Sequence, residues 1–410
     1  MSLAAESATD EGDRVNRKAI LYHHRTQGKG VEGVHIRGMT DGFGALGYAV
    51  DMVSPPGVSP YADERQDDSP EAGPARPPAG AIMRRIADHF PQVLFELLEI
   101  GYNLYSFAIL YNRLKSRKYT FIYERYSLFG FSCAILAKWF RVPLVLEVND
   151  ATLIERSRPL VLKRLARSLE RFIFRRSDII VTITGYFRKL ILNADGITPE
   201  QVMVLPNAVD PERFRLKEKA LRRADIGIKN QYVMGVVGAF VPWHGLDFLI
   251  EATHDLLPRL DIHILLVGDG PVRDQIEALA ARYHVSEYVT MTGFLSPDRV
   301  PYYIDLMDIG LMPGSNRHCS PVKLFEYMAM GRPSVVPRYE PIEEIVDEGE
   351  DAIIFPPGDR AAFRAAVSRL IQDDARRRQM GDNARRKVLT HHVWNRNASR
   401  LNDEIVKHIG

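Results

Sequence analysis

Short runs rich in aliphatic and β-branched residues recur along the chain, set apart by polar or glycine-bearing segments. In the first half they fall at 18–24 (KAILYHH), 48–54 (YAVDMVS), 119–125 (YTFIYER), 143–149 (PLVLEVN), 178–184 (DIIVTIT) and 202–207 (VMVLPN). Stretches with apolar residues at helical spacing separate most of them. The alternation restarts at 232–240, 261–270, 288–294, 309–314, 333–338 and 352–356. Strands alternating with helices predict an α/β protein with two doubly wound, Rossmann-like parallel sheets, each covered on both faces.

The same pattern divides the chain. Residues 1–17 read as a disordered tail, 18–210 as the first domain, 211–230 as a charged linker without strand pattern, 231–385 as the second domain and 386–410 as a closing helix. The stretch 54–80 holds seven prolines among clustered acids and reads as a mobile loop. The apolar span 93–111 contains Glu96, Glu99 and Asn103, which argues against a membrane crossing and for a long, mostly buried helix.

Composition changes this picture little. With 54 basic and 52 acidic residues in 410, the net charge of +2 gives no sign of a nucleic-acid binder. The polar, acidic start MSLAAESATDEGDR lacks the marks of an export signal, and two cysteines, Cys133 and Cys319, suit plain buried thiols in a reducing cytosol. One local charge stands out: 156–176 carries eight basic residues and one acid. Lys163, Arg167, Arg171 and Arg175 share a helical face opposite Val161, Leu165, Leu169 and Phe172. Such a helix can rest on anionic lipid or present a solvated face, and the sequence leaves both open.

In open parallel sheets ligands bind beyond the carboxyl ends of the strands, so chemistry is sought there. HCSPVKLFEYMAMGRP (318–333) reads as a helix with Ser320 as N-cap and Pro321 in the first turn, yet it places Lys323 where the helix dipole favours anions. A bound phosphate resolves that conflict; a solvent-facing lysine is the alternative. Glu326, one turn on, can accept two hydrogen bonds from a ribose diol or pair with Lys323. GKGVEG (28–33) matches a dinucleotide-binding fingerprint, with Asp51 placed as its ribose acid, so an NAD-dependent dehydrogenase is a rival reading.

Taken in order, VLPNAVDPERF, VGAFVPWHGLDFLIEA, LLVGDGPVRDQIEALA, VTMTGFL and SPVKLFEYMAMGRPSVV resemble the retaining glycosyltransferases of family 4 over nearly the whole chain. The resemblance implies a GT-B fold: two facing Rossmann-like domains with an interdomain cleft, the first for the acceptor, the second for a nucleotide-sugar donor. It implies a closing helix that packs back on the first domain. It further implies a UDP- or GDP-sugar as co-substrate, no cofactor, no bridging metal and a saccharide acceptor; the cysteine usage places the protein in the cytoplasm, and the basic helix leaves open a lipid-linked acceptor and a peripheral place at the inner membrane face. Surface polysaccharide or glycoconjugate biosynthesis is the implied process. The residues carried over are Lys323, His244, Asn149 and Asp150 for catalysis; Glu326, Ser320, Pro321, His318, Gly268, Gly293 and Gly238 for the donor; and Gly30, Glu124, Arg125 and Glu147 for the acceptor. Four positions depart from the family pattern. His318 stands where an acid is common, Ala239 and His244 where Arg and Lys are common, and Asn149 where a histidine is common. Bland readings also stand: a turn histidine packed by Trp243, a strand-end cap at 149–150, an internal ion pair among Glu124, Arg125 and Glu147. A nucleotide-sugar binding protein without catalysis is the third functional reading.

Overall fold

The computed structural model describes residues 18–28, 30–61, 92–152, 160–194, 196–216 and 220–409. All twelve runs are strands. β1 (Ala19–His23), β2 (Ala49–Val53), β3 (Phe121–Arg125), β4 (Leu144–Val148), β5 (Ile179–Thr182) and β6 (Val202–Val204) form one sheet in the order β2-β1-β3-β4-β5-β6. β7 (Tyr232–Val237), β8 (Ile262–Val267), β9 (Val289–Met291), β10 (Ile309–Leu311), β11 (Ser334–Pro337) and β12 (Ala352–Phe355) form the other, ordered β12-β11-β10-β7-β8-β9. Neighbouring strands are parallel in both. Central strands β1, β3, β4 and β8 are buried along their whole length, as sheets covered on two faces require. Strand order reverses between β1 and β3 in the first sheet and between β7 and β10 in the second, and those reversals are where such sheets open a crevice for ligands.

The chain forms two compact units. Of the described residues, unit 1 comprises those within 18–183, 187–205 and 397–409, and unit 2 those within 184–186 and 206–396. The charged stretch 211–230, expected as a linker, is built into unit 2: Ile228 lies in its core beside Phe214, and Arg223 pairs with Asp308 at 2.7 Å. Charge misled here because a few apolar anchors suffice to dock a segment. The tail 1–17 and residues 62–80 of the proline-rich stretch lie outside the described residues. Its first part is docked, since the Pro60 carbonyl accepts from Arg37 at 2.5 Å and the Tyr61 hydroxyl bonds Thr40 and Asp41.

The apolar span is a single helix, Gln92–Ser116, but only one face of it is buried. Glu96, Asn103 and Ser106 point inward. The Glu96 carboxylate accepts the backbone N–H groups of Val161 and Leu162 at 2.7 and 2.8 Å, which caps the Lys163–Arg176 helix from another element. Asn103 bonds the backbone at Phe129 and Phe131, and Ser106 meets Ser132. The expectation of a mostly buried helix is therefore corrected: in its first half polar groups face the fold and Leu94, Leu97, Leu98 and Leu104 face out, while Leu110 and Leu114 are core. Val161, just before the basic helix, and Leu165 on it are exposed as well.

Candidate active site

In unit 2, β7 ends at Val237 and the chain turns at Gly238 with φ +122°, an angle that side chains rarely allow. A Cβ on Gly268, after β8, would lie 2.1 Å from the Gly238 carbonyl oxygen, so the two strand ends approach only because this residue has none. A Cβ on Gly238 would meet Lys323 Nζ at 3.4 Å and His244 Cε1 at 3.8 Å. Lys323 thus converges at the end of β7 with Gly238 and His244, about 80 positions earlier in the chain. Gly293, at φ +73°, pairs with Gly268 in an isolated bridge beside them.

Lys323 stands on the helix Val322–Ala329, whose opposite face, with Leu324, Phe325 and Met328, is core. Burial holds its ammonium down at about 8, with Glu326 and Cys319 pulling the other way. Burial pushes the Glu326 carboxyl up, opposed by Arg213 and Lys323. Among the described residues no hydrogen bond or ion pair closes between Lys323 and Glu326. His244, on the turn Pro242–His244, lies 2.6 Å from the Ala239 carbonyl through Nδ1, so that nitrogen donates and Nε2 is left as acceptor. Burial, then the Lys323 charge, lower its imidazole to about 4.

The helix start differs from expectation. Pro321 occupies the N-cap position, no side chain caps the terminus, and Lys323 is the second helical residue. Ser320 is drawn away by tertiary contacts: its Oγ accepts from the Asn207 N–H at 3.0 Å and its carbonyl from Asn207 Nδ2 at 2.7 Å. The His318 carbonyl accepts from Thr184 at 3.4 Å. Cys319 is half-buried, not fully so. Sequence reasoning missed Arg213, whose Nε is buried with no partner among the described residues and whose charge acts on Glu326. Its position just after β6, in the quoted NAVDPERF, was the available signal.

In unit 1 the candidates gather at the ends of β1, β3 and β4. Arg125 Nη1 donates to Glu147 Oε1 at 2.5 Å, Tyr123 to Glu147 Oε2 at 2.7 Å, and His35 Nδ1 lies 3.3 Å from Oε2. Asn149 also donates to Oε1, which leaves its own Oδ1 buried without a partner among the described residues. Burial raises the Glu147 pKa, but His35 and Arg125 outweigh it and hold the carboxyl below its usual range. Beside this network, His23 Nδ1 is 3.2 Å from Glu124 Oε1 and 3.5 Å from Cys133 Sγ. These three buried donors lie within 4.8 Å of one another and have the chemistry to hold a divalent cation. Gly30 opens the Gly30–Ala45 helix at φ +57°. Asp150 follows Asn149, half-buried. A cavity of about 560 Å³ lies elsewhere, along β2 between Thr40, Tyr48 and Pro60. Asp51, the proposed ribose acid of the dehydrogenase reading, is held by Arg117 at 3.0 Å and the Tyr119 hydroxyl at 2.7 Å.

Comparison with known proteins agrees with this layout. Residues 30–213 match the family described as Glycosyltransferase Family 4, and residues 231–373 match Glycosyl transferases group 1. The chain belongs to the family 4 type of glycosyltransferase. This glycosyltransferase is 25% identical over 259 residues to the alpha-D-kanosaminyltransferase of Streptomyces kanamyceticus, covering 61% of this chain and 67% of that one. It is 27% identical over 247 residues to the GDP-mannose-dependent alpha-(1-6)-phosphatidylinositol monomannoside mannosyltransferase of Mycolicibacterium smegmatis, covering 58% and 64%. The match thus spans about two thirds of these relatives' own length. Anabaena HepE in complex with UDP shares the fold at 15% identity and TM-score 0.68, covering 95% of this chain and all of that one. A glycosyltransferase from Rickettsia africae does so at 13% identity and TM-score 0.70, covering 96% and 99%. Two Rossmann-like domains of the GT-B class are the architecture of the chain. The dehydrogenase reading of GKGVEG falls with the family and with the engaged Asp51.

Proposed function

We propose that this glycosyltransferase is retaining, needs no bridging metal, and moves a hexosyl group from a UDP- or GDP-sugar to a saccharide or lipid-linked acceptor. One observation carries the reading: at the end of β7, Lys323 stands beside Gly238 and His244 in the first turn of a helix, where the ammonium and the helix dipole both favour negative charge. A diphosphate supplies that charge, and the terminal N–H groups supply hydrogen bonds. In the transfer, the bond from the anomeric carbon to the diphosphate breaks, the acceptor oxygen bonds that carbon on the same face, and the departing diphosphate oxygen takes the acceptor proton. Lys323 and the helix terminus stabilise the charge growing on that oxygen. His244 joins them by gaining a proton once the diphosphate is bound, reversing the effect of its burial.

Glu326 takes the ribose hydroxyls, with the Arg213 and Lys323 charges opposing the upward push of burial on its carboxyl. Ser320, Pro321, His318, Gly238, Gly268 and Gly293 shape the donor pocket. In unit 1, Gly30, Glu124, Arg125 and Glu147 meet the acceptor, with the open Oδ1 of Asn149 and the Asp150 carboxylate binding hydroxyls. The process is surface polysaccharide or glycoconjugate synthesis at the inner face of the cytoplasmic membrane, which the basic helix Lys163–Arg176 contacts. The names of relatives support this: one acts on phosphatidylinositol monomannoside, and another, from Erwinia amylovora, serves amylovoran biosynthesis.

A donor screen scored by released nucleotide, run with EDTA, tests the reading, with the anomeric configuration of the product read by NMR. Turnover with one UDP- or GDP-sugar and a retained configuration is expected. Glu326→Ala should weaken nucleotide binding by about tenfold or more. Tight nucleotide binding with no transfer to any acceptor would leave a binding protein instead, and an inverted product would overturn the mechanism.

A further inference from the structure

The outer face of Gln92–Ser116 is unlike the rest of the surface. Leu97 is 51% exposed, Leu98 61% and Leu104 82%, with Leu94 and Tyr105 on the same face at helical spacing. From 93 to 108 every exposed position on this helix is apolar, glycine or tyrosine. The acids that interrupt the sequence are consumed inward, Glu96 as a helix cap and Glu99 in an ion pair with Arg25 at 2.5 Å. Trp139, 64% exposed, extends the patch through ring contacts with Phe107 and Tyr111. Monomers rarely leave a contiguous apolar ridge of this kind uncovered.

What covers it is indicated by the neighbouring charge. The Lys163–Arg176 helix is fixed beside the ridge by Glu96 and by Ile100 and Leu162, which both pack on the cluster of Leu128, Phe129 and Ala166. It exposes Lys163, Arg164, Arg167, Arg171, Arg175 and Arg176, while its one acid, Glu170, is buried on Tyr126 and Thr152. A leucine ridge, an exposed tryptophan and a cationic helix together match a bilayer with anionic headgroups.

We propose that this face of unit 1 is a lipid-docking surface, with the Leu94–Tyr105 ridge entering the headgroup–acyl boundary and the cationic helix lying on the headgroups. Length and hydropathy alone would let the helix cross a membrane. Its inward face forbids it, because Glu96, Asn103 and Ser106 are bonded into the fold and would lose those partners in hydrocarbon. The helix therefore lies in the interface plane. The inference deepens the proposed function by naming a lipid surface as the place of acceptor supply, yet the docking itself does not require transfer.

Flotation of the full-length protein with phosphatidylcholine vesicles, with and without phosphatidylglycerol, tests it. The protein should float with the anionic vesicles, less so as salt rises. A Leu97→Ser/Leu98→Ser/Leu104→Ser variant should lose about tenfold or more in vesicle affinity while its melting temperature and UDP or GDP affinity stay put. An Arg167→Glu/Arg171→Glu variant, independent of the ridge, should lose the preference for phosphatidylglycerol. No flotation with either vesicle, or a triple-serine variant that floats like the wild type, overturns the proposal. Light scattering that shows a wild-type dimer and a monomeric triple-serine variant, without vesicle binding, assigns the ridge to a second copy and overturns it as well. Failure of nucleotide binding with intact flotation removes the transferase reading and leaves the docking surface standing.

Discussion

Lys323 keeps its charge at neutral pH against the cost of burial, which Glu326 and Cys319 offset only in part. Diphosphate binding must raise its pKa above the free value of about 8, so binding and protonation are linked. Nucleotide affinity should be flat below pH 8 and fall by about tenfold per unit above it until the bound-state pKa is reached. Calorimetry near pH 8.5, in buffers of different ionisation enthalpy, should show proton uptake that Lys323→Gln abolishes. Turnover of that variant should drop on the order of 100-fold with a smaller loss of donor affinity, and the apo protein should be no less stable. An unchanged pH profile in the variant would show that Lys323 does not touch the diphosphate. The lysine was legible because proline and apolar spacing mark the helix around it. Ser320 was misread as the cap because its actual partner, Asn207, is 113 positions away, and no local signal encodes that contact. Arg213 escaped for the same reason.

At the scale of elements, Glu96 shows how one carboxylate can organise two helices. It satisfies two backbone donors at the start of Lys163–Arg176, a terminus that has no side-chain cap of its own and carries cations in its first turn. Glu96→Ala strands both donors and should cost about 2–3 kcal/mol, whereas Glu96→Gln keeps an acceptor and should cost less. Urea denaturation of the three proteins checks the order. Equal stability would mean that water replaces the carboxylate. Strand existence was the most legible feature, since β-branched runs between helical patterns admit little else. Helix orientation was the least. An apolar helix announces burial, but which of its faces finds a neighbour depends on elements far along the chain.

For the whole molecule, acid sensitivity follows from its buried histidines. His24, His35, His244 and His263 are each lowered from 6.5 to about 4, burial being the largest cause in all four. Their unfolded forms take up protons from pH 6.5 downward while the folded forms resist to about 4, so stability is lost as pH falls through that window. The melting temperature should decline steadily from pH 6.5 to 4, and His263→Gln should make the decline shallower; a flat profile would show these rings to be hydrated. The two-sheet layout was legible from strand rhythm alone, whereas the boundary between the units was not, because Phe214 and Ile228 dock a segment whose charge suggests a tether. The last helix has a different kind of consequence. Residues 397–409 complete unit 1, with Ala398, Leu401 and Ile405 buried and Asn402 bonded to Tyr48, although 206–396, nearly all of unit 2, lie between them and the rest of that unit in the chain. On the ribosome, then, the first unit to emerge is the last to be finished: it must wait, with an apolar groove open to chaperones, until translation has delivered the entire second unit.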